Sequence, residues 1–245
     1  MTSLISKKYS FVLFLMFLVT FKSLAQDSEI SRIKADVLKA MGGQKAYDKT
    51  RYISWNFFGG RNLIWDKHEN RVRIDLSKEN TTYILNIGKN TGMVLKDGVE
   101  MTAPDSVAKY LENARKTWIN DSYWLVMPFK LSDSGVTLKY LGHQKTEDGS
   151  DAEVLEMTFA NVGVTPENKY HVFFDKNSHL VSQWSYFANF ADEKPRFTMP
   201  WKDYKSYGKI MLSGNRGVRQ LSDIKVFDKL PETIFNTFTK PDFLK

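Results

Sequence analysis

The sequence predicts an α+β fold: a strongly curved antiparallel β-sheet, an incomplete barrel of about ten or eleven strands, with helices packed on its concave face. Three observations predict it. Two segments carry apolar residues at the helical period, near either end of the first half of the chain. Almost everything else alternates with period two, in short runs separated by Gly, Asn, Asp and Ser. Phe, Tyr and Trp make up 14% of the residues, which asks for a large buried volume. An open antiparallel sheet of that size curls, and its concave face needs a cover.

The first helix is expected over Ser28–Met41. Ile30, Ile33, Val37, Leu38 and Met41 fall on one face, Ser28 is a candidate cap and Gly42-Gly43 a stop. From Arg51 the period drops to two, with Ile53, Trp55 and Phe57 on one side. Gly59-Gly60 leads into Leu63–Lys67, and 71–76, Thr81–Ile87 and Met93–Leu95 continue an antiparallel meander of about five strands.

A second helix is expected over Asp105–Trp118, capped by Asp105 or Ser106 and ending at Asn120-Asp121. Val107, Leu111, Ala114 and Trp118 run down one face. The most apolar stretch follows, Tyr123–Leu131, too short to cross a bilayer and therefore buried or set against a greasy ligand. Pro128 excludes a central strand there, so Tyr123–Met127 reads as extended and Pro128–Leu131 as a turn.

Strands resume at Val136–Gly142, Glu153–Phe159, Lys169–Asp175 and His179–Phe187, the last two joined by a turn at 175–178. Tyr170, Val172 and Phe174 share a face. So do Leu180, Trp184 and Tyr186, with Val181 and Phe187 opposite. Pro195 and Pro200 make Phe197–Trp201 an edge or loop. Gly208–Leu212, Val218–Leu221 and Asp223–Phe227 are the remaining strands, and 231–238 is expected to close the chain as a short helix.

The N-terminus sets the expected compartment. Lys7 and Lys8 precede an apolar run, Tyr9–Phe21, and Ser23-Leu24-Ala25 carries small residues at both positions a signal peptidase reads. Residues 1–25 are thus expected to be a signal peptide. That leaves 26–245 as a single half-barrel domain, exported and periplasmic, with no membrane span after cleavage. The chain has no Cys, which excludes disulfides, thiolate metal sites, Cys nucleophiles and a lipobox anchor. The formal charge is +7, and Lys7, Lys8 and Lys22 leave with the signal peptide. The mild remaining excess is not the footprint of a nucleic-acid binder.

No catalytic motif appears. The four His show no HExxH spacing, and there is no GxSxG elbow or P-loop. His171 and His179 could face each other across their hairpin, but two imidazoles fall short of a metal site. Asp121 and Asp133 are read as surface or capping acids. No metal and no cofactor are expected, and the protein is read as a non-enzyme. A half-barrel does not close its own core, so part of the aromatic content is expected to line a cavity. Trp55, Phe57, Trp124, Phe129, Phe174 and Trp184 are the candidate lining residues.

Three local patterns carry a family resemblance. They are Trp118-x-Asn120-Asp121-x-Tyr123-Trp124-Leu125-x-Met127-Pro128-Phe129-Lys130-Leu131, Asn161-Val162-Gly163-x-Thr165-Pro166, and Leu180-Val181-x-Gln183-Trp184. With the order helix, meander, helix, meander, they make the chain resemble the LolA/LolB-like periplasmic lipoprotein-carrier superfamily, and a secreted branch of it in Gram-negative bacteria. The resemblance implies an incomplete barrel closed by helices, with a hydrophobic cavity for acyl chains. The Arg that latches the carriers' lid has no match here. The expected ligand is a lipid, a lipoprotein acyl chain or another apolar molecule. The alternative is an envelope structural or interaction protein, with an envelope protein partner and an interior filled by side chains. A carboxylate-based hydrolase is the third reading.

Overall fold

The computed structural model describes residues 26–160 and 163–244. The expected signal peptide and the Asn161-Val162 pair of the second pattern lie outside the described residues.

Residues 26–40 form helix α1, so Ser28 lies inside it instead of capping it. Its end is where the sequence placed it. The Gly43 N–H donates to the Leu38 carbonyl (2.7 Å) and the Gly42 N–H to the Lys39 carbonyl (3.2 Å). This paired closure needs a left-handed residue, and Gly42 supplies φ 97°. A short helix that the sequence reading missed, α2 (Gln44–Lys49), turns the chain toward the sheet.

Six strands follow: β1 (Tyr52–Phe57), β2 (Arg61–Asp66), β3 (Arg71–Leu76), β4 (Thr81–Asn86), β5 (Thr91–Lys96) and β6 (Val99–Glu100). From β1 to β5 the hairpins pair without a slip. Asn70, Asn80, Asn90 and Asp97 sit in the connections with φ of 45–53°. Asn and Asp tolerate that conformation best among residues with a Cβ. Alternation then decides the faces: Trp55, Leu63, Ile74 and Leu85 enter the main core, while Tyr52, Ile64 and Ile84 point to the other side.

Helix α3 (Pro104–Val126) corrects the sequence reading most. It is 23 residues long, begins with Pro104 in its first turn, and runs through Asn120-Asp121 into the stretch read as extended. The apolar stripe does not stop at Trp118; it continues through Ser122 to Leu125. Asp121 occupies a buried position on it, held by Arg61 through bonds of 2.6 and 2.9 Å. Met127–Lys130 then forms a 3-10 turn that accommodates Pro128 near its start, where no N–H is needed. At the helix end, the buried Arg216 donates to the Trp124 carbonyl (2.7 Å), satisfying one of the free terminal acceptors.

The second sheet comprises β7 (Val136–Lys145), β8 (Asp151–Phe159), β9 (Lys169–Asp175), β10 (Val181–Phe187) and β11 (Phe197–Pro200). The chain then returns to the first through β12 (Lys202–Tyr207), β13 (Ile210–Arg216) and β14 (Arg219–Phe227). The orders are β12-β13-β14-β1-β2-β3-β4-β5-β6 and β11-β10-β9-β8-β7. Fourteen strands among the described residues thus replace the expected ten or eleven. The count rose because Lys202–Tyr207 is a strand that the sequence reading left unassigned, and because β6 was overlooked. The two runs 218–221 and 223–227 are one strand, whose register shift against β1 had hidden its continuity.

The two sheets meet at Trp201, between β11 and β12. Its N–H donates to the Ser182 carbonyl (2.8 Å), its ring stands edge-on to Trp184 (5.2 Å), and Arg216 lies over it at 3.5 Å. The strand bends here and changes sheet, as strands do at the corners of orthogonally packed sheets. No closed barrel results. The core is lined by α1, α3 and both sheets. A bulge between Val181 and Gln183 corrects one face assignment: Val181 joins Trp184 in the core instead of pointing away.

The C-terminal segment packs on the opposite side of the large sheet. The expected closing helix is a 3-10 turn, Glu232–Phe235, and Ile234 and Phe235 cover Tyr52, Ile64 and Ile84. Arg73, buried on β3, pairs with Asp75 (2.8 and 2.9 Å) and donates to the carbonyls of Thr237 and Thr239 (3.0 Å each) and Phe238 (3.1 Å).

Candidate functional site, an aromatic cleft beside helix α3

The C-terminal half of α3 does not lie flush on the small sheet. Trp118, Ile119, Ser122 and Tyr123 share one face of the helix, and that face forms one wall of a cleft of about 240 Å³. Val136, Phe159 and Tyr170, from the near ends of β7, β8 and β9, form the opposite wall. Trp124 closes the inner end, and Lys130, Asp133, Gly163 and Thr165 border the opening.

The floor is built from rings. Tyr123 and Phe159 meet edge to face at 5.9 Å, as do Phe159 and Tyr170 at 5.9 Å. Tyr170 stacks on Trp184 at 4.9 Å, and Trp184 stands edge-on to Trp124 at 4.6 Å. These are the arrangements ring quadrupoles favour. Among the described residues the Tyr123 hydroxyl donates only to the Met157 thioether, 3.1 Å away. Burial raises its pKa well above the ordinary phenol value and pushes Tyr170 up to about 12, so both rings stay neutral. The Trp118 Nε1 is buried without a hydrogen-bond partner among the described residues, with the ring edge-on to Trp65 at 5.2 Å. Charge is confined to the rim, where Lys130 and Asp133 pair at 2.8 Å. Such a cleft can shelter apolar surface.

Of the six residues singled out from the sequence, Trp124 lines the cleft. Trp184 supports its floor, and Phe57 touches Trp124 edge-on at 6.1 Å. Trp55 and Phe174 lie in the packed core, and Phe129 stacks on Tyr47 at 4.3 Å. Sequence reasoning passed over Trp118, Tyr123, Val136, Phe159 and Tyr170 as lining residues. The spacing of Trp118, Ser122 and Tyr123 is a signal only once the helix is known to run past Asp121.

The other candidate chemistry is dispersed. His171 stands opposite Ser185, not His179, and its ring lies 3.3 Å from the Glu156 carboxylate. His179 sits in the turn at φ 60°. Asp121 and Asp133 are each engaged with a cation of their own, Arg61 and Lys130. Burial raises the Asp121 pKa, with Arg61 opposing. Among the described residues no three His, Asp or Glu converge to hold a metal ion, and no helix is long and apolar enough to cross a membrane.

No family model matches the sequence, and no curated protein matches it. Among solved structures the chain is similar to a DUF1329 family protein from Desulfovibrio piger, at 13% identity over 84% of this chain and 97% of that one, with a TM-score of 0.44. It is similar to a LolA superfamily protein from Nitrosomonas europaea, at 9% identity over 82% and 96%, with a TM-score of 0.38. A third likeness is to MucB in complex with MucA, at 13% identity over 84% of this chain and 60% of that one, with a TM-score of 0.24.

Proposed function

We propose that the protein is an exported, periplasmic binding protein, not an enzyme, and that the cleft beside α3 holds the apolar part of a lipid or a lipoprotein acyl chain. The observation that carries this reading is the composition of the cleft. Its walls and floor are mainly aromatic and aliphatic, its phenols are neutral, and its charges are confined to the rim. Each methylene moved from water into such a site gains ~0.8 kcal/mol, so a chain needs no charged anchor to bind. The volume of about 240 Å³ is below the roughly 300–1,000 Å³ of pockets that enclose whole ligands. The cleft therefore takes a segment of a chain and leaves the rest outside.

A titration of delipidated chain 26–245 with fatty acids of increasing length tests this, read by the fluorescence of Trp118 and Trp124. Affinity is expected to rise with length, level off once the cleft is full, and change little with salt. Absence of binding at every length, or binding abolished by moderate salt, overturns it. The second reading, an envelope interaction protein with a filled interior, then stands in front. It is supported by Trp55, Trp184 and Trp201, all fully buried in a packed core.

A further inference from the structure

The small sheet has an open edge. Among the described residues β7 pairs only with β8, and it is ten residues long. From Val136 to Tyr140 its register against Phe159–Leu155 is unbroken; beyond Tyr140 a bulge, with Gly142 at φ 84°, ends the regular edge. The phase of the ladder is fixed by the bond from the Ala160 N–H to the Gly135 carbonyl (2.8 Å). Gly135, Thr137 and Lys139 therefore bond toward β8. Leu138 turns both its N–H and its carbonyl outward, with the Val136 carbonyl and the Tyr140 N–H beside them. Among the described residues none of these four groups has a partner.

We propose that this edge docks an extended polypeptide segment as a sixth, antiparallel strand, and that the segment alternates apolar and acidic residues. The side chains of β7 decide the alternation. Val136, Leu138 and Tyr140 lie on the inner face, partly buried against the core. Thr137 and Lys139 are exposed on the outer face. An added strand places every second residue beside each set. The inner neighbours are then apolar, and the one nearest Val136 reaches the cleft, which Val136 also lines. The outer neighbours face Lys139, which no carboxylate approaches within 4 Å among the described residues. Glu156, opposite Lys139 on β8, is turned to His171. A second copy of the chain is a poor occupant. β7 contains no Asp or Glu, so no register of two β7 edges supplies Lys139 with a carboxylate. The proposal is independent of what the cleft holds.

The probe is the capped pentapeptide Val-Asp-Leu-Asp-Val, titrated into isotope-labelled chain 26–245 and followed by amide chemical shifts. Saturable changes at Val136–Tyr140 are expected. Lys139→Glu, an exposed substitution, should weaken binding about tenfold and transfer preference to Val-Lys-Leu-Lys-Val. N-methylation of the peptide's central Leu amide should abolish binding, because that amide meets the Leu138 carbonyl. N-methylation of an Asp amide should not. No saturation by the acidic peptide, shifts confined to another surface, or indifference to Lys139→Glu or to the methylated position overturns the proposal. A chain found by ultracentrifugation to dimerise through β7 overturns it as well.

Discussion

At the scale of single residues, Gly42 shows how two demands can meet at one position. Its φ of 97° closes α1, and a Cβ there would lie 2.1 Å from the Lys209 carbonyl oxygen, where the end of the helix docks on β13. The Met211 N–H donates to the Met41 carbonyl (3.0 Å) at the same junction. Gly43 has a similar φ of 90° but open space around it. The left-handed conformation alone costs a residue with a Cβ ~1–2 kcal/mol. Gly43→Ala should therefore lower stability by about that amount, and Gly42→Ala by clearly more. Urea denaturation of the two variants separates strain from collision, and equal losses would show that the contact with Lys209 relaxes freely. The sequence marked both glycines as a helix stop, and the chemistry of Gly says that much. It does not say which of the two touches a strand that lies more than 160 residues away in the chain.

At the scale of elements, legibility followed the length of the signal. The strands from β1 to β5 alternate cleanly, and their positions along the chain were legible to within a few residues. β10 alternates too, but the bulge at Ser182 moved Val181 to the other face. A bulge has no residue type of its own, so parity counted along the sequence misses it. In α3 the misreading came from charge: Asp121 looked like a helix end because its partner, Arg61, comes from β2. The candidate site failed to appear for the same reason. Its walls come from α3, β7, β8 and β9, and only the fold brings Tyr123, Phe159 and Tyr170 together. The C-terminal segment offers a test at this scale. Arg73 holds four of its carbonyls, that of Ile234 at 3.4 Å among them, and neutralises the buried Asp75, which also accepts from the Thr82 hydroxyl (2.9 Å). Arg73→Met should cost ~3–5 kcal/mol, because it leaves a buried carboxylate unpaired. It should also expose Phe238, partly buried against this face of the sheet, to chymotrypsin. Adding Asp75→Leu should recover part of the stability but not the protection of the segment. Full recovery of both would mean that the carbonyl bonds contribute nothing to holding it.

At the scale of the whole molecule, two sheets joined at Trp201 form an open cup, and α3 crosses its concave side. The N-terminal half of α3 rests on β4 and β5 of the large sheet, while its C-terminal half reaches the cleft and β13. Packing alone does not hold that second half, since one wall of the cleft lacks a protein neighbour. Two polar ties compensate: Arg216 to the Trp124 carbonyl, and Arg61 to Asp121. The second tie is asymmetric. Asp121 is fully buried, whereas 31% of the Arg61 side chain is exposed. Removing the arginine strands a buried charge; removing the acid leaves a guanidinium that water can solvate. Arg61→Ala should therefore cost ~3–5 kcal/mol and Asp121→Asn less, about 1–3. Burial already raises the Asp121 pKa, and losing Arg61 raises it further. The folded variant then binds its proton more tightly than the unfolded chain does. Its deficit is smallest below the ordinary Asp value near 3.9 and grows as pH rises through the folded pKa. The gap between Arg61→Ala and wild type should accordingly be narrower at pH 4 than at pH 7. Hydrogen exchange should show faster opening of amides in the last turns of α3, with those of β8 and β9 unchanged. A uniform change across α3 and both sheets would show that the tie stabilises the fold as a whole. A local change would show that the tie acts on the C-terminal half of α3 alone, the half that walls the cleft.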